Sequence, residues 1–259
     1  MVERAATAGL TVIALTDHDT VAGIAEARDA ATGGLRVLSG CEFSIRLDAD
    51  GGEIHLLGYG MRSDDPDLLA FLAGARDGRS RRGERILALL EKLGVALTPA
   101  DLESQAKGAA LGRPHVARAL LARGVVKNLD QAFDRFLGRG RPAYVPKVLP
   151  NVDQVTALVR AAGGVSAIAH PKDRLDRPTL ERLRERGVDG IEVRHPSHPP
   201  GVRTQLERIA QDLGMLSTGG SDAHGEAAAS PSHSVIGGER VPTEWVERIE
   251  ALARSRGGG

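Results

Sequence analysis

Residues 11–20 read TVIALTDHDT. Thr11 to Leu15 form a short apolar run, and Asp17-His18-Asp19 follow at once, so a strand is expected to end in a cluster of ligand-type side chains. The same pairing recurs along the chain. Arg36 to Leu38 lead through Ser39-Gly40-Cys41 into Glu42, and Val165 to Ala169 (VSAIA) lead into His170-Pro171. Gly190 to Val193 (GIEV) lead into His195-Pro196-Ser197-His198, and Met215 to Thr218 lead into Ser221-Asp222-Ala223-His224. A further run, Ile54 to Leu57, carries His55. Continuous rather than alternating apolarity suits strands covered on both faces, as in parallel α/β sheets. Amphipathic helices fall between several of the runs, such as Asn151 to Ala162 and Arg177 to Arg186. Alternating strand and helix implies a βα layer or barrel. In a parallel barrel the C-terminal strand ends open on one face, where residues distant in sequence converge.

The middle of the chain reads differently. Asp64 to Ala75, Arg85 to Leu93, Pro114 to Ala122 and Leu129 to Leu137 all carry helical patterns, and strand-helix alternation resumes only after Val148. The expectation is a discontinuous α/β domain, residues 1–63 and 148–259, with a helical, substrate-binding insertion over 64–147. Gly257 to Gly259 read as a frayed C-terminal end.

Composition narrows the function classes. The 259 residues hold 34 basic and 34 acidic side chains, so no global field exists to hold a long polyanion. Aromatics make up 3%, which argues against a stacking platform for long single strands and for mononucleotides or very short oligonucleotides. The single cysteine, Cys41, rules out an internal disulfide, and no stretch has the length and apolarity of a signal peptide or membrane span. A cytoplasmic protein with no membrane contact and no obligate protein partner is expected.

Histidines and carboxylates gathered without cysteine suit Mn, Fe or Zn in a hydrolytic centre. Bridging carboxylates such as Glu42 or Asp222 could hold a metal pair, the arrangement that phosphate ester hydrolysis calls for. Duller readings stand beside this one. His55 could be a hydrogen-bonded core histidine, and Asp17, Asp19 and Asp222 could merely cap helices. His115 and His195 are weakly marked, and His233, in a Ser/Pro segment, reads as a surface residue.

Taken in order, Thr16-Asp17-His18-Asp19-Thr20, Gly40-Cys41-Glu42-Phe43-Ser44, Glu53-Ile54-His55-Leu56-Leu57-Gly58, Ala169-His170-Pro171 and Gly220-Ser221-Asp222-Ala223-His224 resemble the successive motifs of the polymerase and histidinol phosphatase (PHP) phosphoesterases. The insertion, with Gly112-Arg113-Pro114-His115-Val116-Ala117-Arg118 and Gly138-Arg139-Gly140-Arg141-Pro142-Ala143-Tyr144-Val145, is similar to the branch that includes 3′,5′-nucleotide bisphosphate phosphatases and the RNase AM type of 5′-to-3′ exoribonuclease. The resemblance implies a distorted (β/α)7 TIM-like barrel with a three-metal centre, commonly Mn. It implies His18 and His224 on one metal, Glu42 bridging the other two, His55 and His170 completing one of these, and Asp222 on the remaining one. The implied activity is hydrolysis of 3′,5′-bisphosphonucleotides, or 5′-to-3′ trimming of short RNA, by a metal-activated hydroxide. Arg113, Arg141 and His115 are then candidates for holding a terminal phosphate, because guanidinium groups grip phosphate oxygens in pairs. Around them Arg118, Arg123, Lys127, Arg135, Arg139 and Lys147 face only Asp130 and Asp134 in the sequence. His198 is a further candidate at the mouth of the site.

The family's His-x-His motif, followed shortly by an Asp, is not present. Met1-Val2-Glu3-Arg4-Ala5-Ala6 reads as the first helix of the barrel, so the expectation is a start placed downstream of the first strand, in a form weakly active and poorly soluble. Two alternatives stay open: a PHP phosphatase of another small ester such as histidinol phosphate, and an inactive nucleotide- or metal-binding module.

Overall fold

The apolar run Val12–Leu15 becomes strand β1 in the computed structural model, which describes residues 1–48, 52–106, 112–172, 175–223 and 235–259. Five strands follow it: β2 (Arg36–Arg46), β3 (Glu53–Tyr59), β4 (Val165–Ile168), β5 (Gly190–Arg194) and β6 (Leu216–Gly219). They pair in chain order as one curled sheet, a half barrel. β1 and β2 are parallel, as are β4, β5 and β6. β3, however, runs antiparallel to both β2 and β4, against the expectation of a parallel sheet. The reason is the short connection 47–52, since a parallel return needs a crossover of a dozen or more residues. The sequence signal for a hairpin is the turn-favouring composition of Asp48-Ala49-Asp50-Gly51-Gly52. β2 is also longer than its apolar start suggested, so Glu42 lies within the strand instead of after it.

The helices begin with α1 (Val2–Thr7) and α2 (Ile24–Asp29), which with Leu10, Ile13, Leu15 and Val37 bury one small cluster against β1 and β2. α3 (Pro66–Lys92) joins into one helix the two segments read separately at 64–75 and 85–93. α4 (Pro99–Ala106), α5 (Arg113–Ala122) and α6 (Leu129–Ala132) follow, and a π-helical turn, Phe133–Leu137, takes over where one helix to Leu137 was expected. α7 (Val152–Ala161) opens on a capping box in which Asn151 and Gln154 each accept the other's backbone N–H. α8 (Arg177–Glu185) is capped by Asp176, α9 (Pro200–Leu213) ends on left-handed Gly214, and α10 (Thr243–Ser255) closes the chain.

Backbone contacts divide the chain into two units, Met1–Leu69 with Leu149–Gly259, and Ala70–Val148. In the first, Leu57, Tyr59, Val165, Ala167 and Ala169 of the sheet region pack with Ile249 and Ala253 of α10. In the second, Ile86 and Leu90 pack with Leu102, Val116, Leu120, Phe136, Leu137 and Val145. The C-terminal glycines are tied down, a correction to the frayed end expected from composition: Gly258 N–H donates to Ala253 O, Gly259 N–H to Gly60 O, and Arg62 Nη1 to Gly257 O. Among the described residues no helix is long and apolar enough to cross a membrane.

Candidate functional site

Three backbone registers bring the site together. Past the end of β1, Glu42 N–H donates to Asp17 O and Asp19 N–H to Glu42 O, which sets His18 beside Glu42 in a parallel bridge. Gly40 permits this closeness, for a Cβ there would stand 2.6 Å from Leu15 O. Across the hairpin Glu42 pairs with Leu57, and His55, two residues earlier on the same face, is its diagonal neighbour. Because β3 is antiparallel, His55 near its start reaches the edge where β1 and β4 end. Ala169 N–H donates to His55 O, which carries His170 alongside.

Glu42 is thereby surrounded by imidazoles. Its carboxylate lies 2.8 Å from His55 Nδ1, 3.0 Å from His170 Nε2 and 3.5 Å from His18 Nε2, and His55 Nδ1 is 3.2 Å from His170 Nε2. Glu53 stands 3.6 Å from His55 Nε2. The row continues through His195, whose ring centroid is 5.4 Å from that of His170 and whose Nε2 is 3.5 Å from Asp222 Oδ2. His195 was the weaker candidate from sequence; buried at 2% exposure, it stands between His170 and Asp222. Asp19, His170, Lys172 and Asp222 are the described non-glycine residues with positive φ. Their clustering at the strand ends is backbone strain of the kind stored at functional sites.

The electrostatics follow from burial and neighbours. Burial would raise the Glu42 carboxyl, but hydrogen bonds from His170 and His55 and the charge of His18 outweigh it and hold it well below the usual carboxylate range. Burial works against charge on His55 as well, yet its hydrogen bonds to Glu42 and Glu53 lift it to about 9. The carboxylate thus collects positive charge around itself. His18, Glu42 and His55 each offer a ligand atom within 4.8 Å of the others, a donor set that fits a divalent cation.

Asp19 does not cap α2, whose N-cap is Gly23; it is buried and accepts from Ser44 N–H at 3.3 Å. His198, expected at the mouth of the site, is buried at 1% exposure with both ring nitrogens engaged, Nδ1 with Val193 O at 2.9 Å and Nε2 with Lys172 N at 3.1 Å. His224 and His233 lie outside the described residues. Sequence reasoning missed Glu192, which is buried within β5 and accepts from His170 N–H at 2.6 Å. Burial, ahead of the nearby charges of Glu42, Asp222 and Glu239, pushes its carboxyl well above the ordinary range. A lone glutamate inside the apolar run GIEV was the available signal, since a carboxyl is buried only at a cost.

Within the second unit, Arg113 lies over the rings of Tyr144 and Phe133, at 5.5 and 6.0 Å, and donates to Leu137 O. Arg141 is exposed on the same Phe133–Tyr144 segment. His115 Nδ1 accepts from Gly112 N–H at 3.0 Å, and burial together with the charges of Arg118 and Arg79 lowers its pKa. The local basic excess is smaller than the sequence suggested, because Arg123 pairs with Asp101 at 2.7 Å.

No protein-family model matches the chain. It is 33% identical over 230 residues to a 5′-3′ exoribonuclease of Haemophilus influenzae, covering 86% of this chain and 83% of that protein. It is 32% identical over 243 residues to a 3′,5′-nucleoside bisphosphate phosphatase of Chromobacterium violaceum, covering 90% of this chain and 85% of that one. A crystal structure from Bifidobacterium adolescentis, provisionally described as a metal-dependent phosphoesterase, superimposes with a TM-score of 0.81 at 33% identity, over 97% of this chain and 89% of that one.

Proposed function

The chain belongs to the PHP type of metal-dependent phosphoesterases, and on that premise we propose that it hydrolyses phosphate esters of nucleotides, namely 3′,5′-bisphosphonucleotides such as 3′-phosphoadenosine 5′-phosphate, or short RNA from its 5′ end. The observation that carries the reading is Glu42, a buried carboxylate met by imidazoles from β3 and from the ends of β1 and β4. His18, Glu42, His55 and His170 would hold divalent metal, with Asp222 and His195 beside them and His224 as a further candidate. Manganese is the ion we favour, and Fe or Zn suits the same donors. What such metals supply when bound is neutralised phosphate charge and a water acidic enough to ionise near neutral pH.

The chain's own groups do the rest. Glu42 gathers His55 Nδ1 and His170 Nε2 within 3.0 Å of its carboxylate, so the donor atoms already converge before any ligand arrives. In the helical unit we assign phosphate holding to Arg113, His115 and Arg141. Arg113 is braced by Tyr144 and Leu137 O, so its fork loses little freedom on binding. His115 is kept neutral, and because Nδ1 accepts from Gly112 N–H, Nε2 carries the hydrogen and can donate it to a phosphate oxygen.

The test is phosphate release from 3′-phosphoadenosine 5′-phosphate with added Mn²⁺, beside 5′-phosphorylated short RNA and histidinol phosphate, for wild type and Glu42→Gln. Turnover of a nucleotide substrate that Glu42→Gln abolishes is expected. Turnover of histidinol phosphate alone, or turnover indifferent to Glu42, overturns the reading.

A further inference from the structure

Segment 169–172 leaves the sheet by a strained route. Ala169 makes the last rung beside β3, after which His170 turns at φ 28° and Lys172 at φ 55°, with Pro171 between them. Both angles are in the left-handed region that L side chains avoid, so the turn persists only if its surroundings impose it. Its backbone donors show what does so. Pro171 has no N–H to give. The two N–H groups that remain each go to a buried side chain: His170 N–H to Glu192 Oε2 at 2.6 Å, and Lys172 N–H to His198 Nε2 at 3.1 Å.

The two acceptors are themselves fixed. Glu192 sits within β5, at 5% exposure, on a strand whose Gly190, Ile191 and Glu192 are all in register with β6. His198 stands just after β5, at 1% exposure, and its Nδ1 contact with Val193 O makes that nitrogen the donor and leaves Nε2 to accept. One rigid strand and the loop behind it therefore supply both anchor points. Burying a carboxyl and an imidazole is costly unless each makes good hydrogen bonds; Glu192 accepts from this turn, and His198 accepts from it while donating to Val193 O.

We propose that Glu192 and His198 are positioning residues, a two-point clamp that imposes the left-handed His170-Pro171-Lys172 turn and so delivers the His170 imidazole to Glu42 and His55. Neither side chain has to touch metal or substrate for this. The consequence for metal binding rests on reading the Glu42 cluster as a metal centre; the clamp on the turn does not.

Two measurements test it. In metal-free wild type, hydrogen exchange should find the His170 and Lys172 amides strongly protected although they lie outside the strands; exchange at the rate of an open loop would overturn the clamp. Calorimetric titration of metal-free protein with Mn²⁺ then compares wild type with Glu192→Gln, Glu192→Leu and His198→Phe. Glu192→Gln keeps an accepting oxygen and should bind close to wild type. Glu192→Leu and His198→Phe should lose about tenfold or more in affinity while still folded, the scale seen for outer partners of metal ligands. Wild-type affinity in folded Glu192→Leu refutes the proposal. Folded wild type that binds no divalent metal refutes the metal-centre reading instead, and amide exchange then decides the clamp, as it does if Glu192→Leu does not fold.

Discussion

His55 meets Glu42 diagonally across the β2–β3 hairpin, with 2.8 Å between Nδ1 and the carboxylate. The pair joins two groups shifted in opposite directions and ties metal-free stability to pH. His55 is raised above its unfolded value of about 6.5, so its contribution is complete below that pH and is lost as pH rises through about 9. Glu42 is depressed, so its contribution is present above about 4.3 and is lost as pH falls toward its lowered folded value. The raised Glu192 carboxyl acts in the opposite sense to Glu42, its share fading as pH rises above about 4.3, so the Glu42–His55 contribution is read as the difference in urea midpoint between metal-free wild type and Glu42→Gln, which should be largest between about 4.3 and 6.5. Glu42→Gln should flatten the alkaline limb and bring His55 down toward an ordinary histidine, read from its imidazole resonances.

Removing divalent metal should abolish phosphate release, and adding Mn²⁺ back should restore it. The melting temperature should move with metal, because a ligand held at a hundred times its dissociation constant stabilises by about 2.7 kcal/mol. A melting curve indifferent to chelator and to Mn²⁺ would count against a metal centre at Glu42.

Arg113→Ala should raise KM for 3′-phosphoadenosine 5′-phosphate by roughly tenfold to a hundredfold, the loss of a charge-assisted hydrogen bond of about 1.5–3 kcal/mol. Turnover of p-nitrophenyl phosphate, which has no second phosphate to hold, should be nearly unchanged. Equal losses on both substrates would mean that Arg113 supports structure instead.

Asp65 opens α3 by accepting Leu68 N–H at 3.1 Å, with Arg62 Nη2 at 2.8 Å on its other oxygen. The Leu68 hydrogen bond, followed by Arg62, lowers its carboxyl. Asp65→Ala should cost about 1 kcal/mol at neutral pH, the usual worth of an N-cap. The difference from wild type should persist above about 3.9 and close as pH falls through the lowered folded value.

Asp189 receives both Arg256 guanidinium nitrogens, at 2.6 and 2.8 Å, and its Oδ2 also accepts Ser166 N–H. Both side chains are nearly buried, at 13% and 11% exposure. Arg256→Met should therefore cost about 1.5–3 kcal/mol in urea unfolding, the worth of a hydrogen bond to a charged group, since Arg160 at 3.7 Å and Ser166 still face the carboxylate. KM of the folded variant should be unchanged, since the pair staples the C-terminal residues and touches no member of the histidine row.

What can be read along the chain is the set of strands that run into ligand-type side chains. A continuous apolar run followed by Asp-His-Asp, His-Pro or Ser-Asp can be read without coordinates, because burial on both faces dictates the run and a strand end is where a polar cluster can stand. The sequence also marked Glu42, His18, His55 and His170 before their contacts were known. How they meet is set by pairing between distant segments. Composition alone does not reveal that β3 turns back on β2, which puts His55 at the shared edge, or that β2 runs on past Glu42 to Arg46. Glu192 and His198 owe their places to hydrogen bonds with the distant His170 and Lys172, and His195 stands 3.5 Å from Asp222. Such bonds depend on three-dimensional approach and on left-handed turns at particular residues, for which local pattern carries no period and no propensity.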